Sequence, residues 1–388
     1  MMLTIEEAAK IIQSQNVKRS VIDRLIEDSL GYWLAEEITS PFDLPSFDNS
    51  AMDGYAVSGV SESYKITGEI QAGDISAKKL RDGEALRIFT GAKIPDSATA
   101  VVMQEKTRVK NNILFVEGEV SEGQHIRRRG NELSSGQTVF KPGHLISPAS
   151  IGMIGSLGIN SLKVYQKPSV RIISTGNELV PPGHTKELGQ IYESNSYSLQ
   201  SALESHGFRC EEKTHIKDDF SAIKQGIEAF LEASDVLLIS GGISVGDYDF
   251  VKQALEENGV QELFYKVFQK PGKPLYFGRR DDTFVFALPG NPASSLTCFY
   301  IHVLPLLQKL SGANSTGLQR LDVPIDHDYD NTSDRPVFLK ASIQNGRVSI
   351  LDRQSSSMIH SMALGNALVF LNEPALISKG EQVQTILI

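Results

Sequence analysis

Ser240-Gly241-Gly242-Ile243-Ser244-Val245-Gly246-Asp247-Tyr248-Asp249 is the stretch on which the reading of this chain turns. Before it, Val236 to Ile239 is an uninterrupted apolar run of buried-strand type. After it, Phe250, Val251, Ala254 and Leu255 recur at helical spacing up to Asn258. Strand, glycine-rich turn and helix in that order make a place where an α/β protein holds an anion. Gly241, Gly242 and Gly246 can adopt positive φ and bring backbone N–H groups to a ligand, with Ser244 in the same turn, while the helix N-terminus adds positive potential. Asp247 and Asp249 fit an anion site only if a divalent cation bridges protein and ligand through hard oxygen donors. The alternative is that Asp247 caps the helix and Asp249 complements its dipole.

Outward from this turn, everything after Pro168 alternates strand and helix. Strands are expected at Val170 to Ser174, Phe208 to His215, Val236 to Ile239, Glu262 to Phe268 and Thr283 to Ala287. Helices are expected at Ser194 to His206, Phe220 to Glu232, Phe250 to Asn258 and Ala293 to Leu310. That order predicts a mostly parallel, doubly wound sheet with its ligand at the carboxyl ends of the strands. Five polar or Gly/Pro turns fall at those ends: Thr175 to Glu178, Asp218-Asp219, the Ser240 turn, Lys270 to Lys273, and Leu288-Pro289-Gly290-Asn291-Pro292. Their convergence predicts a pocket.

The flanking parts differ in texture. Ile5, Ala8, Ala9, Ile11 and Ile12 mark a helix with Thr4 as N-cap and Glu7 completing a capping box. A second helix is expected over Val21 to Glu37, with Trp33, the chain's one tryptophan, in the core. The stretch Ser46 to Ala56, containing Asp53, reads as a turn-rich connection or a loop-borne site. Short β runs at Tyr64 to Thr67, Ala85 to Phe89, Ala100 to Met103 and Ile113 to Val116 make an inserted β-rich part. Ala149 to Leu157 suits a helix, and residues 313 to 388 return to β texture. The chain thus divides into a helical part (1–40 with 140–167), an inserted β-rich domain (41–139), the doubly wound domain (168–312) and a small C-terminal β domain (313–388).

Composition narrows the function. With 47 acidic against 38 basic side chains and a formal net charge of -9, nucleic acid and anionic membrane are poor partners. An anionic ligand would need local basic groups such as Arg127 to Arg129, or Lys266, Lys270, Lys273, Arg279 and Arg280. Cys210 and Cys298 are far apart, lack metal-ligand spacing, and read as buried apolar residues. No run approaches the length of a membrane helix and the N-terminus lacks signal-peptide character, so a cytoplasmic protein is expected.

With these motifs in place, the chain resembles the MoeA family of molybdopterin molybdenumtransferases, to which the E domain of gephyrin also belongs. The carriers are PSFDNSAMDGYAV (45–57), RIFTGAKIP (87–95), IRRRGNEL (126–133), STGNEL (174–179), SGGISVGDYDFVK (240–252), KPGKPLYFG (270–278) and LPGNPASS (288–295). The resemblance implies a multidomain α/β fold: a helical linker domain broken by a β-rich insert, a doubly wound domain like those of MoaB and MogA, and a C-terminal β-barrel. It implies molybdate insertion into adenylylated molybdopterin with release of AMP, by a homodimer whose cleft is shared between protomers. Asp53 and Thr90 would then face the neighbour's pocket. It implies Mg2+ on Glu178, Asp218 and Asp249, with Glu132 and Asp53 as nearby candidates. Lys266, Lys270 and the Gly241 to Gly246 turn with Ser244 would hold the phosphates. Pro289 and Pro292 would shape the substrate site, and Lys270, Lys273, Ser294 and Arg335 would receive molybdate. Transient contact with the molybdopterin adenylyltransferase and with cofactor-accepting enzymes belongs to the same picture. Two departures stand out: the segment Arg353 to Met358 lacks a glycine found among the serines of many relatives, and residue 177 is Asn where some have Asp. Competing readings are a cofactor-binding or scaffold relative without activity, and a nucleotide pyrophosphatase or adenylyltransferase built on the doubly wound domain alone.

Overall fold

All five residues of the Val236–Ser240 strand are buried, which is what an apolar run covered on both faces requires. The structure is a computed structural model that describes residues 2–76, 78–243 and 250–388. Ser244, Gly246, Asp247 and Asp249 lie outside the described residues. The strand is the third of a six-stranded sheet in the order Cys210–Ile216, Val170–Thr175, Val236–Ser240, Thr283–Leu288, Tyr276–Arg280, Gln261–Tyr265. The first four strands are parallel. The last two junctions are antiparallel. Tyr276–Arg280 is a strand the periodicity did not reveal, and its direction follows from the tight turn at Asp281 (φ 52°), which folds it back on Thr283–Leu288 as a hairpin.

Helices cover both faces, so neighbouring strand residues go to opposite cores. Ile172, Leu238 and Phe286 pack with Leu199, Leu203 and Phe299, whereas Ile173, Leu237, Ile239 and Val285 pack with Ile223, Ile227, Val251 and Leu255. The helix expected over Ala293 to Leu310 is present as Pro292–Cys298, a π turn at Phe299–Val303, and Leu304–Leu310.

The chain divides into two compact units, Met1–Ala35 with Pro142–Pro148 and Ser161–Ile388, and Glu36–Lys141 with Ala149–Asn160. In the first, the helix Ile5–Ser14 carries the expected capping box between Thr4 and Glu7 and buries Ile5, Ala8 and Ile12. The helix expected over Val21 to Glu37 is absent. Val21–Leu25 is instead a strand paired antiparallel with Ser161–Tyr165, followed by a 3-10 turn at Ile26–Asp28 and by Gly31 at φ 73°. The β-branched Val21 and Ile22 suit that pairing, and Gly31 stops any helix that would run through it. Trp33 is buried and stacks near Phe208, as expected of a core residue. Of the two cysteines, Cys298 is buried, its thiol pushed up to about 12 by desolvation, but Cys210 is partly exposed.

The C-terminal segment forms an antiparallel sheet in the order Arg320–Pro324, Gln382–Leu387, Ala367–Leu371, Val337–Gln344, Arg347–Ile350. Its two edges meet where Ile325 bridges Val348 and the Asp326 N–H donates to the Val348 carbonyl (3.0 Å), which curls the sheet into a barrel. The second unit is built on a six-stranded sheet ordered Ala100–Met103, Gly54–Val57, Glu84–Ile88, Ser63–Ile70, Ile113–Val116, Thr107–Lys110.

Candidate functional site

The turns after Thr175, Ser240 and Leu288, at the carboxyl ends of three adjacent parallel strands, wall a cleft of about 1060 Å³. Gly241 and Gly242 hold φ of 93° and 62°. A Cβ on Gly241 would lie 2.5 Å from the Thr175 carbonyl oxygen, and one on Gly242 would lie 2.5 Å from Val251 Cγ2 and 2.8 Å from Thr175 Oγ1. The turn is therefore pressed onto the neighbouring strand end so closely that any side chain would lift it.

Glu178, Asp218, Pro289 and Pro292 line this cleft together with Gly241 and Gly242, so six of the residues expected from sequence are brought together. Asp218 Oδ2 accepts the Asn177 N–H (3.1 Å) while Asn177 Oδ1 accepts the Asp218 N–H (3.2 Å), a reciprocal clasp between two strand-end turns. The Asn at 177 is thus occupied in holding the turn. The Glu178 carboxylate folds back over Gly176, where a Cβ would come within 2.8 Å of Oε2.

Polar residues at the start of the Asn195–Ser205 helix escaped sequence reading. Asn195 Nδ2 donates to Ser240 Oγ and to the Gly290 carbonyl (2.8 Å each), pinning two turns to each other, while its buried Oδ1 has no partner among the described residues. Thr175 Oγ1 is likewise buried and unpartnered. Glu193 is a buried carboxylate that accepts the Ser196 N–H (2.8 Å) and hydroxyl (2.6 Å). The signal was the polar triplet Glu193-Ser194-Asn195, which looks like an ordinary helix start. Ser357, from the barrel segment, also lines the cleft.

The basic candidates are placed differently. The Lys270 N–H donates to Pro336 O and its carbonyl accepts the Phe338 N–H (2.8 Å each), tying this loop to the barrel strand. Lys266 sits at φ 71° with its ammonium 4.6 Å from the Tyr265 ring. Lys273 accepts from Val267 and Leu275 through its carbonyl, Ser294 is buried, and Arg335 lies 3.7 Å from the Asp334 carboxylate. Pro274 is on the cleft wall, whereas none of these five residues is. Among the described residues no three His, Cys, Asp or Glu side chains gather as a metal cage. Glu178 and Asp218 share the cleft, while Glu132 belongs to the second unit.

In that unit Asp53 precedes the strand Gly54–Val57, and Thr90 follows the strand Glu84–Ile88 that pairs with it. Asp53 Oδ1 accepts both the Thr90 N–H (2.7 Å) and the Thr90 hydroxyl (2.8 Å). The backbone amide first and the hydroxyl second hold the Asp53 carboxyl below its ordinary range, with nearby Arg87 adding to the effect. Arg128 and Arg129 are taken up by exposed ion pairs with Asp48 and Asp43 (2.7 Å each), so this arginine run is a solvated structural pair set in the described fold.

Three family descriptions match successive parts of the chain: the MoeA N-terminal region, domains I and II, over residues 3–158; a probable molybdopterin binding domain over 171–309; and the MoeA C-terminal region, domain IV, over 322–388. The chain is 36% identical over 317 residues to the molybdopterin molybdenumtransferase of Haemophilus influenzae, covering 80% of this chain and 78% of that protein. It is 30% identical over 382 residues to that of Staphylococcus aureus strain Mu50, covering 95% and 91%. The solved structure of a molybdopterin biosynthesis MoeA protein from Pyrococcus horikoshii OT3 superimposes over all of both chains with TM-score 0.84 at 28% identity. Through sequence, domain order and fold alike, this chain belongs to the MoeA family.

Proposed function

We propose that this protein is the molybdenumtransferase of molybdenum cofactor biosynthesis, inserting molybdate into adenylylated molybdopterin with release of AMP. The observation that carries the reading is the cleft at the strand ends, where a side-chain-excluding glycine turn and the carboxylates of Glu178 and Asp218 stand together. Relatives that align along 95% of the chain bear the name of this activity. The turn of Gly241 and Gly242 would present N–H groups to substrate phosphate. With molybdate held beside the dithiolene, hydrolysis adds one water across the P–O–P bond, leaving AMP and a pterin phosphate, and the two dithiolene sulfurs replace molybdate oxygens that leave as water with the thiol protons. No nucleophilic side chain is needed.

The Glu178 and Asp218 carboxylates on one cleft, beside buried oxygens of Thr175 and Asn195 that have no partner among the described residues, are a hard-oxygen donor set that fits Mg2+. Glu178 and Asp218 would hold it, with Asp249, and the ion would neutralise phosphoanhydride charge. The protein's own groups do the rest: Asn177 and Asp218 hold two turns in place, and Asn195 fixes the turns at Ser240 and Gly290. We further propose a cytoplasmic homodimer in which Asp53 and Thr90 serve the partner's cleft, and in which Lys266, Lys270, Lys273, Ser294 and Arg335 serve phosphate and molybdate. The four-domain division expected from sequence belongs to the same proposal.

The test is AMP release from adenylylated molybdopterin with Mg2+, with and without molybdate, in the wild type, Asp218→Asn and Asp53→Asn. Molybdate-dependent release that each substitution lowers by about 10²-fold supports the reading. Binding without release under any condition would overturn it, and release indifferent to molybdate would mark a pyrophosphatase instead.

A further inference from the structure

Lys340 lies in the middle of the barrel strand Val337–Gln344, only 3% exposed, and among the described residues no carboxylate comes within ion-pair distance of it. Its three ammonium hydrogens are nevertheless all used: Nζ donates to the carbonyls of Arg353 (2.6 Å), Ser355 (3.0 Å) and Met358 (2.9 Å). A buried ammonium is costly unless its donors are met, and here every acceptor comes from one six-residue loop. The loop is thereby turned with three carbonyl oxygens inward around the charge. Gln354 closes the same arrangement, accepting the Lys340 N–H (2.9 Å) and donating to the Lys340 carbonyl (2.8 Å). Arg353 sits at φ 60°, a left-handed bend that a non-glycine residue keeps only where its surroundings hold it.

The other side of this loop meets the cleft. The Ser356 carbonyl accepts the Ala293 N–H (3.1 Å), Ser356 Oγ accepts from Asn291 Nδ2 (3.0 Å), and Ser357 is on the cleft wall, its hydroxyl 3.3 Å from that of Ser355. Three successive hydroxyls are therefore held beside the Pro289 to Pro292 turn by a charge buried behind them. Hydroxyls in that setting can donate to a tetrahedral oxyanion.

We infer that Lys340 is a positioning residue for the oxyanion substrate: it never touches the oxyanion, but it holds the Arg353 to Met358 loop in the form in which Ser356 and Ser357 close the cleft. The identity of that oxyanion as molybdate rests on the function proposed above. The experiment uses the full-length protein, with molybdate titrated calorimetrically in the absence of pterin and as the varied substrate in AMP release. Lys340→Met should raise the molybdate half-saturation by about tenfold or more, since several charge-assisted bonds go at once. AMP affinity should move by less than about threefold, which general destabilisation would not spare. Lys340→Arg, which keeps the cation and its donors, should recover most of the loss. A methionine variant with wild-type molybdate affinity overturns the assignment, and so does a wild type that binds no molybdate. Should the methionine variant fail to fold, amide exchange of wild-type residues 353–358 decides: slowing on addition of molybdate supports the role and unchanged exchange overturns it. Wild-type protein that binds molybdate yet releases no AMP sinks the insertase reading while leaving the Lys340 comparison to the titration.

Discussion

Asp218 and Asp53 each accept a backbone N–H across a turn, but they do so in opposite settings. Asp218 exchanges bonds with Asn177 on the wall of the cleft, among turns that are also fixed by steric fit at Gly241 and Gly242 and by the Asn195 amide. Asp53 is exposed and puts both bonds on one oxygen, Oδ1, with Thr90 as its partner for both. In the cleft, shape is set by packing and the carboxylate is one support among several. At Asp53 the clasp is open to solvent and works beside backbone bonds, from the Gly91 N–H to the Ser50 carbonyl (2.9 Å) and from the Gln104 N–H to the Asp53 carbonyl (3.1 Å).

The largest expected effect tests that contrast at two glycines. Gly241→Ala places a Cβ 2.5 Å from a backbone carbonyl at φ 93°, a clash that no rotamer can relieve. Gly91, next to Thr90, has φ 82° but nothing within 4 Å of its would-be Cβ. We expect Gly241→Ala to lower AMP release by about 10²-fold, from roughly 3 kcal/mol of strain and displacement. Gly91→Ala should cost stability by about 1 kcal/mol, the left-handed backbone alone, as read in urea denaturation. Equal effects would mean that the cleft turn is no more tightly fitted than an open loop.

Next comes Asn195→Leu. It removes the donors to Ser240 Oγ and to the Gly290 carbonyl at a buried position, so stability should fall by about 2 kcal/mol in urea unfolding. A variant as stable as the wild type would show that water replaces the amide and that the two turns need no bridge.

These residues also mark how far the sequence could be read. The doubly wound order was legible because Val236 to Ile239 and Thr283 to Ala287 are apolar runs between punctuating turns, and a strand buried on both faces leaves that trace. Cleft residues that shape the backbone announced themselves as Gly and Pro. Val21 to Leu25 was misread because its apolar spacing also suits a helix, and its partner Ser161–Tyr165 lies more than 130 positions away, where local periodicity carries no information. Asn195 and Lys340 were invisible for a related reason: an asparagine at a helix start and a lysine in a strand are unremarkable until the fold shows what their donors meet.

The remaining two predictions concern the Asp53 clasp itself. Its carboxyl is held below the ordinary value of 3.8, so the stability it contributes is fully present above that value and is lost as pH falls through the lower, folded value. Carboxyl carbon NMR on the folded protein should therefore show Asp53 titrating below 3.8, and acid loosening of the Thr90 turn should follow that titration. A titration at or above 3.8 would break the clasp interpretation.

Thr90→Val should produce the smallest effect and the sharpest one. It removes the hydroxyl bond at 2.8 Å but keeps the amide bond at 2.7 Å, and the amide is the larger cause of the lowered pKa. The Asp53 titration should therefore rise only part of the way back to 3.8, with the turn still closed at neutral pH. Full return to the ordinary value would mean that the hydroxyl had been the real anchor and that the amide bond forms only because the side chain draws the strand ends into place. In that case Asp53 would be held by a side chain in the way that Ser240 is held by Asn195, and the contrast between a packed cleft and a clasped loop would narrow to a difference in burial alone.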